Sequence, residues 1–159
     1  MKIRLIALML AGLVVVGCSP VSSPQSGSPI ARFKSESAKA FVAGFQPADV
    51  YLRKDGSNAK LSAQCTINSS KYNVSFQSPG KVNLPAYSEG AVNITLSCTH
   101  EGETYSKVFE PVNLSRRARS NSAIGVAILC PICGIGMAAG NPGEKVGDIF
   151  GFFELGLEI

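Results

Sequence analysis

The sequence predicts a mainly β protein that folds as a small antiparallel β-sandwich. Between residues 47 and 115, apolar side chains recur at every second position, which is the period of a strand with one buried face. Turn-forming sequences, among them DGSN, SPG and THEGE, separate these runs as they do in hairpin-connected strands. At 159 residues the chain is long enough for one domain with flanking segments.

Five segments follow from the pattern along the chain. They are a removable N-terminal signal at 1–17, a flexible Ser/Pro-rich tether at 18–46, the β-sandwich at 47–115, a glycine-rich apolar segment at 116–146 and a closing strand at 147–159. The apolar segment, for which a helix is one option, is thus an insertion before the final strand.

The N-terminus has the pattern of an exported lipoprotein. A positive start, MKIR, precedes the apolar run LIALMLAGLVVV, which is too short to cross a bilayer and fits a secretory signal peptide. The run ends in VVGC, residues 15–18, which resembles the bacterial lipobox. That resemblance implies cleavage before Cys18 and acyl chains such as palmitate on its thiol, with a further chain on the freed amine. Two or three chains give stable membrane anchoring, where a single chain does not.

The lipid anchor predicts a location in the bacterial cell envelope. Ser19 follows the cysteine, at the position where an aspartate would resemble the signal for retention at the inner membrane. In an organism with two membranes, the outer membrane is therefore the expected destination. The residues after Cys18 are rich in Ser and Pro and poor in large apolar side chains, a composition that predicts an unfolded tether between lipid and domain.

Two cysteines lie on the apolar faces of predicted strands. In LSAQCTIN, Cys65 shares its face with Leu61 and Ile67, and in AVNITLSC, Cys98 shares its face with Ile94. An exported chain enters an oxidising compartment, so we expect a Cys65–Cys98 disulfide, with two buried free thiols as the alternative. Such a bridge would supply a large part of the stability of so small a core.

Residues 120–143 contain no charged side chain and are rich in glycine. Their apolar part, 123–140, would be about 27 Å long as a helix, slightly short of a hydrocarbon core of about 30 Å. Pro131 and the glycines weaken such a helix, and the arginine cluster before it would lie on the outer side, against the positive-inside rule. We therefore expect a hairpin or broken helix that folds against the β domain. The alternative is self-association, in or on the membrane, through Gly136 and Gly140.

The same segment holds a C-x-x-C pair, Cys130 and Cys133. A thioredoxin-like site needs such a pair at a helix N-terminus after a strand, where the helix dipole lowers the thiol pKa. Here the preceding run, AIGVAIL, is apolar, and no βαβ pattern surrounds the pair. We expect a local disulfide or a closely packed thiol pair, and the alternative is a redox-active site. A zinc site needs four ligands and His100 is the only histidine, so no metal is expected.

The chain from 47 to 159 resembles small bacterial envelope lipoproteins in which a PEGA-like β domain precedes a glycine-rich apolar stretch and a closing strand. The residues that carry this resemblance are AQCT at 63–66, SPGKVNLP at 78–85, the strand ending at Cys98 and the Glu101–Gly102 pair after it. The resemblance implies a non-catalytic module that binds or supports other envelope components without a cofactor.

Composition and motifs also favour a structural or interaction role. Removal of residues 1–17 takes away Lys2 and Arg4, which leaves 13 basic and 11 acidic side chains, and no basic run alternates with aromatics. Nucleic acid binding is therefore not expected. The sequence has neither a G-x-S-x-G nucleophile elbow nor a phosphate-binding glycine loop.

We expect a non-enzymatic envelope protein with two kinds of partner, the membrane, which it contacts through the lipid on Cys18, and another envelope protein. The alternative from a different class is an envelope thiol–disulfide oxidoreductase that uses Cys130 and Cys133.

Overall fold

The fold is a mainly β sandwich of two sheets, as the sequence predicted. The computed structural model describes residues 23–120 and 144–159, and within these ranges the chain forms eleven strands and little helix. The predicted signal peptide and most of the predicted apolar segment lie outside the described residues.

The strands are divided between a five-stranded and a six-stranded sheet. The five-stranded sheet has the order β1 (Arg32–Phe33), β5 (Tyr72–Ser78), β4 (Ala63–Asn68), β7 (Ile94–His100) and β8 (Glu103–Phe109). The six-stranded sheet has the order β11 (Glu154–Glu158), β2 (Val42–Arg53), β6 (Gly80–Tyr87), β10 (Phe150–Gly151) and β9 (Val112–Asn113), with β3 (Lys60–Leu61) paired to β2.

The predicted alternation of buried and exposed side chains holds in the central strands. In β5 every second residue from Tyr72 onward is buried, and in β4 and β7 the buried residues include Ile67 and Leu96. The outward side chains of these strands are uncharged and hydrogen-bond across the sheet, as between Ser97 and Ser106 at 2.7 Å. One sheet face therefore lies in the core and the other in solvent, as expected for an antiparallel sandwich.

The β7–β8 connection is a two-residue hairpin turn, and it lies in the sequence THEGE, where a turn was predicted. Glu101 and Gly102 both have positive φ, 52° and 87°, and the residues on either side of them, His100 and Glu103, pair across the hairpin. This is the type I′ geometry, in which glycine at the second position avoids steric strain.

The predicted boundary between tether and domain at residue 47 is wrong. Strand β2 begins at Val42, and the chain before it already belongs to the fold, because Ala31 and Ala38 are buried and β1 pairs with β5. The Ser/Pro-rich composition hid this burial, since the segment is attached by small alanines, backbone pairing and a single large side chain, Phe33, that packs against the core.

The end of the chain also differs from the single closing strand predicted at 147–159. It forms two strands, β10 beside β6 and β9, and β11 beside β2. Strand β11 runs parallel to β2, with Leu155 opposite Val50 and Leu157 opposite Leu52. The alternation of FELGLEI predicted which side chains are buried, but alternation carries no information about strand direction.

A helix begins at residue 114 and is described as far as residue 120. Asn113 caps it, because its Oδ1 accepts a hydrogen bond from the Arg116 backbone N–H at 2.7 Å. In the parts of the chain that the structure describes, no helix has the length and apolarity needed to cross a membrane.

Candidate functional site

Two polar clusters and one open cleft stand out from the apolar core. The first cluster, which we call the neck, consists of residues 113–119 and 145–149, on either side of residues 121–143. The second, the strap, consists of residues 25–31 and their partner Asn83. The cleft lies beside His100 at the end of the β7–β8 hairpin.

The neck is centred on the Asp148 carboxylate, whose side chain is 3% exposed. Arg119 donates to it twice, from Nη1 to Oδ1 at 2.6 Å and from Nη2 to Oδ2 at 3.1 Å. Oδ2 also accepts from Asn113 Nδ2 at 2.8 Å and from the Lys145 backbone N–H at 2.9 Å. Each carboxylate oxygen is thus satisfied by donors, which is what burial of a charge requires.

These contacts stabilise the charged form of Asp148. The hydrogen bond from Arg119 lowers the pKa of this carboxyl well below its ordinary value, and those from Asn113 and the Lys145 N–H lower it further. The reciprocal effect raises the pKa of the Arg119 guanidinium. Arg119 and Asp148 therefore form an ion pair at any pH at which the Asp148 carboxylate is ionised.

The neck brings together the two ends of the chain that flank residues 121–143. Strand β9 pairs with β10, the Leu114 N–H donates to the Ile149 carbonyl at 2.8 Å, and the Ile149 N–H donates to Ser115 Oγ at 3.0 Å. Both ends of the intervening segment are therefore held at one edge of the six-stranded sheet.

The strap is attached to β6 through Asn83, which is fully buried. Asn83 Oδ1 accepts from the Gln25 N–H at 2.9 Å, and Nδ2 donates to the carbonyls of Gln25 and Ser28 at 3.0 and 3.2 Å. Its backbone also pairs with the strap, accepting from the Ala31 N–H at 3.1 Å and donating to the Pro29 carbonyl at 2.8 Å. One buried amide therefore fixes the chain from Gln25 onward.

Among the described residues, the titratable side chains of the cleft come closest to an arrangement for acid–base catalysis. Most of their contacts, however, are with neighbouring protein groups. His100 Nδ1 lies 2.8 Å from the Ser62 carbonyl, so this nitrogen carries the proton. Tyr105 donates to Glu103 at 2.5 Å, and this hydrogen bond raises the pKa of the tyrosine. Glu101 Oε1 is 3.8 Å from His100 Nε2, beyond a hydrogen bond.

The predicted cysteine pair is joined in the core. Cys65 and Cys98 lie directly opposite each other on β4 and β7, and their sulfurs form a disulfide with the two Cα atoms 4.1 Å apart. Both cysteines are fully buried.

The other residues singled out from the sequence lie outside the described ranges. They are the lipidation residue Cys18, the pair Cys130 and Cys133, and the glycines Gly136 and Gly140. Within residues 23–120 and 144–159, no three His, Cys, Asp or Glu side chains come close enough together to hold a metal ion.

Sequence reasoning missed the residues at the centre of both clusters. Asn113 before a helical run is an N-cap signal that could have located the start of the neck helix, but no cap was predicted at this position. Arg119, one of the arginines that precede the apolar segment, binds Asp148, and this ion pair was not predicted from the sequence. Nothing in the local sequence around Asn83 or Asp148 predicts their partners, which lie 58 and 29 residues away.

Comparison of the chain with protein-family models, with curated proteins and with solved structures found no significant match. The resemblance to PEGA-like lipoproteins stays a prediction.

Proposed function

We propose that the protein is a lipid-anchored structural or protein-interaction module of the bacterial cell envelope, and that it has no catalytic role. The sandwich serves as a rigid holder. It attaches to the membrane through Cys18 at its N-terminal side and presents the glycine-rich segment to a partner envelope protein.

One observation carries this proposal, namely where the fold places two of its buried polar side chains. Asn83 and Asp148 are both buried, and each binds one of the flanking segments, the strap or the neck. Burial of a polar side chain costs free energy unless its partners are arranged around it. These positions therefore support a fold that controls where two flanking segments leave the sandwich.

Charge on the neck agrees with a role as a holder. The Asn113 cap and the two-pronged Arg119 ion pair fix the residues at both ends of the segment. Side-chain contacts therefore determine where the segment joins the domain, in addition to the entropy of closing the loop. A partner that contacts the segment would meet its two flanks at a fixed place on the sandwich.

An intact mass measurement tests the proposal. The protein is purified from membranes after free thiols are alkylated during lysis. We expect a chain that begins at Cys18, carries two or three acyl chains, and has no alkylated cysteine. A chain without acyl groups would contradict the anchor, and a Cys18→Ala variant supplies the unacylated reference.

The same measurement distinguishes the proposed structural module from the redox alternative. A mixed population, alkylated in part at Cys130 and Cys133, would mean that the pair cycles between thiol and disulfide in the cell. That result would favour the oxidoreductase. Detergent-resistant oligomers that disappear in a Gly136→Leu variant would instead favour self-association through the glycine-rich segment.

A further inference from the structure

The strap shortens the length of chain that can separate the lipid from the domain, relative to the tether predicted from the sequence. Because Asn83 fixes Gln25, at most the seven steps from Cys18 to Gln25 can separate the lipid from the strap. Fully extended, they reach about 25 Å, and as a flexible chain they span about 15 Å on average. A tether over the whole predicted range, 18–46, would span about 30 Å on average.

A tether this short restricts the orientation of the sandwich. The described part of the chain has about the size of a domain with a radius of gyration near 13 Å, so the average tether is shorter than the domain is wide. A short tether keeps Gln25 near the anchoring membrane, which favours orientations with the strap toward the bilayer.

The chain that continues from the strap has side chains suited to a headgroup layer. Ile30 is 47% exposed, and Arg32 is exposed, with no hydrogen bond from its guanidinium within the described residues. Lys34 adds a second cation, whose ammonium donates to Asn68 Oδ1 at 2.8 Å and to the Ser69 carbonyl. Between residues 19 and 35 the sequence contains no Asp or Glu. Cations next to an exposed apolar side chain favour an anionic lipid surface.

We propose that the edge of the sandwich carrying Ile30 and Arg32 lies against the lipid headgroups of the anchoring membrane. This inference rests on the proposed anchor at Cys18. It gives the sandwich a fixed orientation, in which β1 faces the bilayer and β8, at the opposite edge of the same sheet, faces away. Four strand spacings, or about 19 Å, separate these two edges.

Tryptophan fluorescence tests the orientation, because the natural chain has no tryptophan. Two single-tryptophan variants of the full chain, I30W and V108W, place the probe at exposed positions near β1 and on β8. Each acylated protein is inserted into phosphatidylethanolamine–phosphatidylglycerol vesicles with and without a lipid that has a spin-labelled headgroup. We expect several-fold stronger quenching in I30W than in V108W.

Two comparisons make the result decisive. A twenty-residue Gly/Ser insertion after residue 22 about doubles the average tether span, and we expect quenching in I30W to fall toward that in V108W. Equal quenching in the two variants, or no effect of the insertion, would overturn the proposed orientation. The acyl mass of the same samples is recorded, so that unacylated protein, which overturns the anchor and the orientation together, is distinguished from acylated protein with the wrong orientation.

Discussion

Arg119 and Asp148 lie on opposite sides of residues 121–143 and form a two-pronged ion pair, with oxygen–nitrogen distances of 2.6 and 3.1 Å. The pair joins the two halves of the neck, since Arg119 belongs to the helix that follows β9 and Asp148 precedes β10. The ion pair thus holds the described residues on either side of this interval together at the β9–β10 edge of the six-stranded sheet.

Substitution of Asp148 by asparagine should destabilise the fold. All four bonds at this side chain come from donors, and an amide replaces one acceptor oxygen with an NH₂ group that would face them. We expect the midpoint of thermal unfolding to fall by several degrees, measured by circular dichroism. The matched control is Asp49→Asn, because Asp49 is exposed and its contact with Lys81 is long, at 3.6 Å. Equal small shifts in both variants would contradict a structural role for the neck.

The neck also predicts a loss of stability in acid. The folded state lowers the pKa of Asp148, so its contribution to stability is fully present above the ordinary pKa of an aspartate, about 3.9. It is lost as the pH falls from about 5 toward the lower folded pKa. Urea unfolding between pH 7 and pH 3 should show a steeper decline for the natural chain than for Asp148→Asn. Parallel curves would mean that this carboxylate does not contribute.

The sequence predicted those features that are encoded in short runs of consecutive residues. The period-two runs around Cys65 and Cys98 defined both the core face and the disulfide, because a buried strand face repeats every second residue. The turn at Glu101–Gly102 was likewise predicted from five consecutive residues, and the structure adds its I′ type.

The clusters that hold the flanking segments depend on distant partners, and this is why the sequence did not reveal them. Asn83 is a polar residue in a strand whose neighbours on both sides are buried, and from the sequence alone it reads as a solvent-facing position. Its role appears only when the strap, 58 residues earlier, is placed beside β6. The same holds for the parallel pairing of β11, which depends on where the chain crosses the sheet.

Replacement of Asn83 by alanine should release the strap. The change removes three side-chain hydrogen bonds to Gln25 and Ser28, and we expect a loss of about 2 kcal/mol in the free energy of unfolding. Hydrogen exchange should accelerate at the Gln25 N–H, which loses its acceptor directly. The exposed Asn93 provides the control substitution, for which little change is expected. Unchanged exchange at Gln25 would show that the strap is held by other contacts.

Removal of the disulfide should cost more than any single hydrogen bond. The bridge joins residues 33 positions apart, and closing a loop of this length stabilises the fold by about 3 to 4 kcal/mol in the chain-entropy model. A Cys65→Ala/Cys98→Ala double variant should therefore show a much lower urea midpoint, with the effect of dithiothreitol on the natural chain in the same direction. A midpoint that does not move in the double variant would mean that packing alone holds β4 and β7 together.

Two buried tyrosines offer a matched test of hydrogen bonding in the core. The Tyr87 hydroxyl donates to the Ala38 carbonyl at 3.0 Å, whereas the Tyr72 hydroxyl is buried with no hydrogen-bond partner among the described residues. Burial raises the pKa of Tyr87 to about 12 and raises that of Tyr72 as well, because both phenolates would be poorly solvated.

The two phenylalanine substitutions should therefore have opposite outcomes. Tyr87→Phe leaves the Ala38 carbonyl unpaired and should cost about 1 kcal/mol of unfolding free energy, while Tyr72→Phe removes an unsatisfied hydroxyl and should be neutral or stabilise by up to about 1 kcal/mol. Chemical denaturation of the two variants beside the natural chain measures both values. If Tyr72→Phe destabilised the fold as much as Tyr87→Phe, the Tyr72 hydroxyl would have to have a partner, such as a buried water, that stabilises the sandwich from inside.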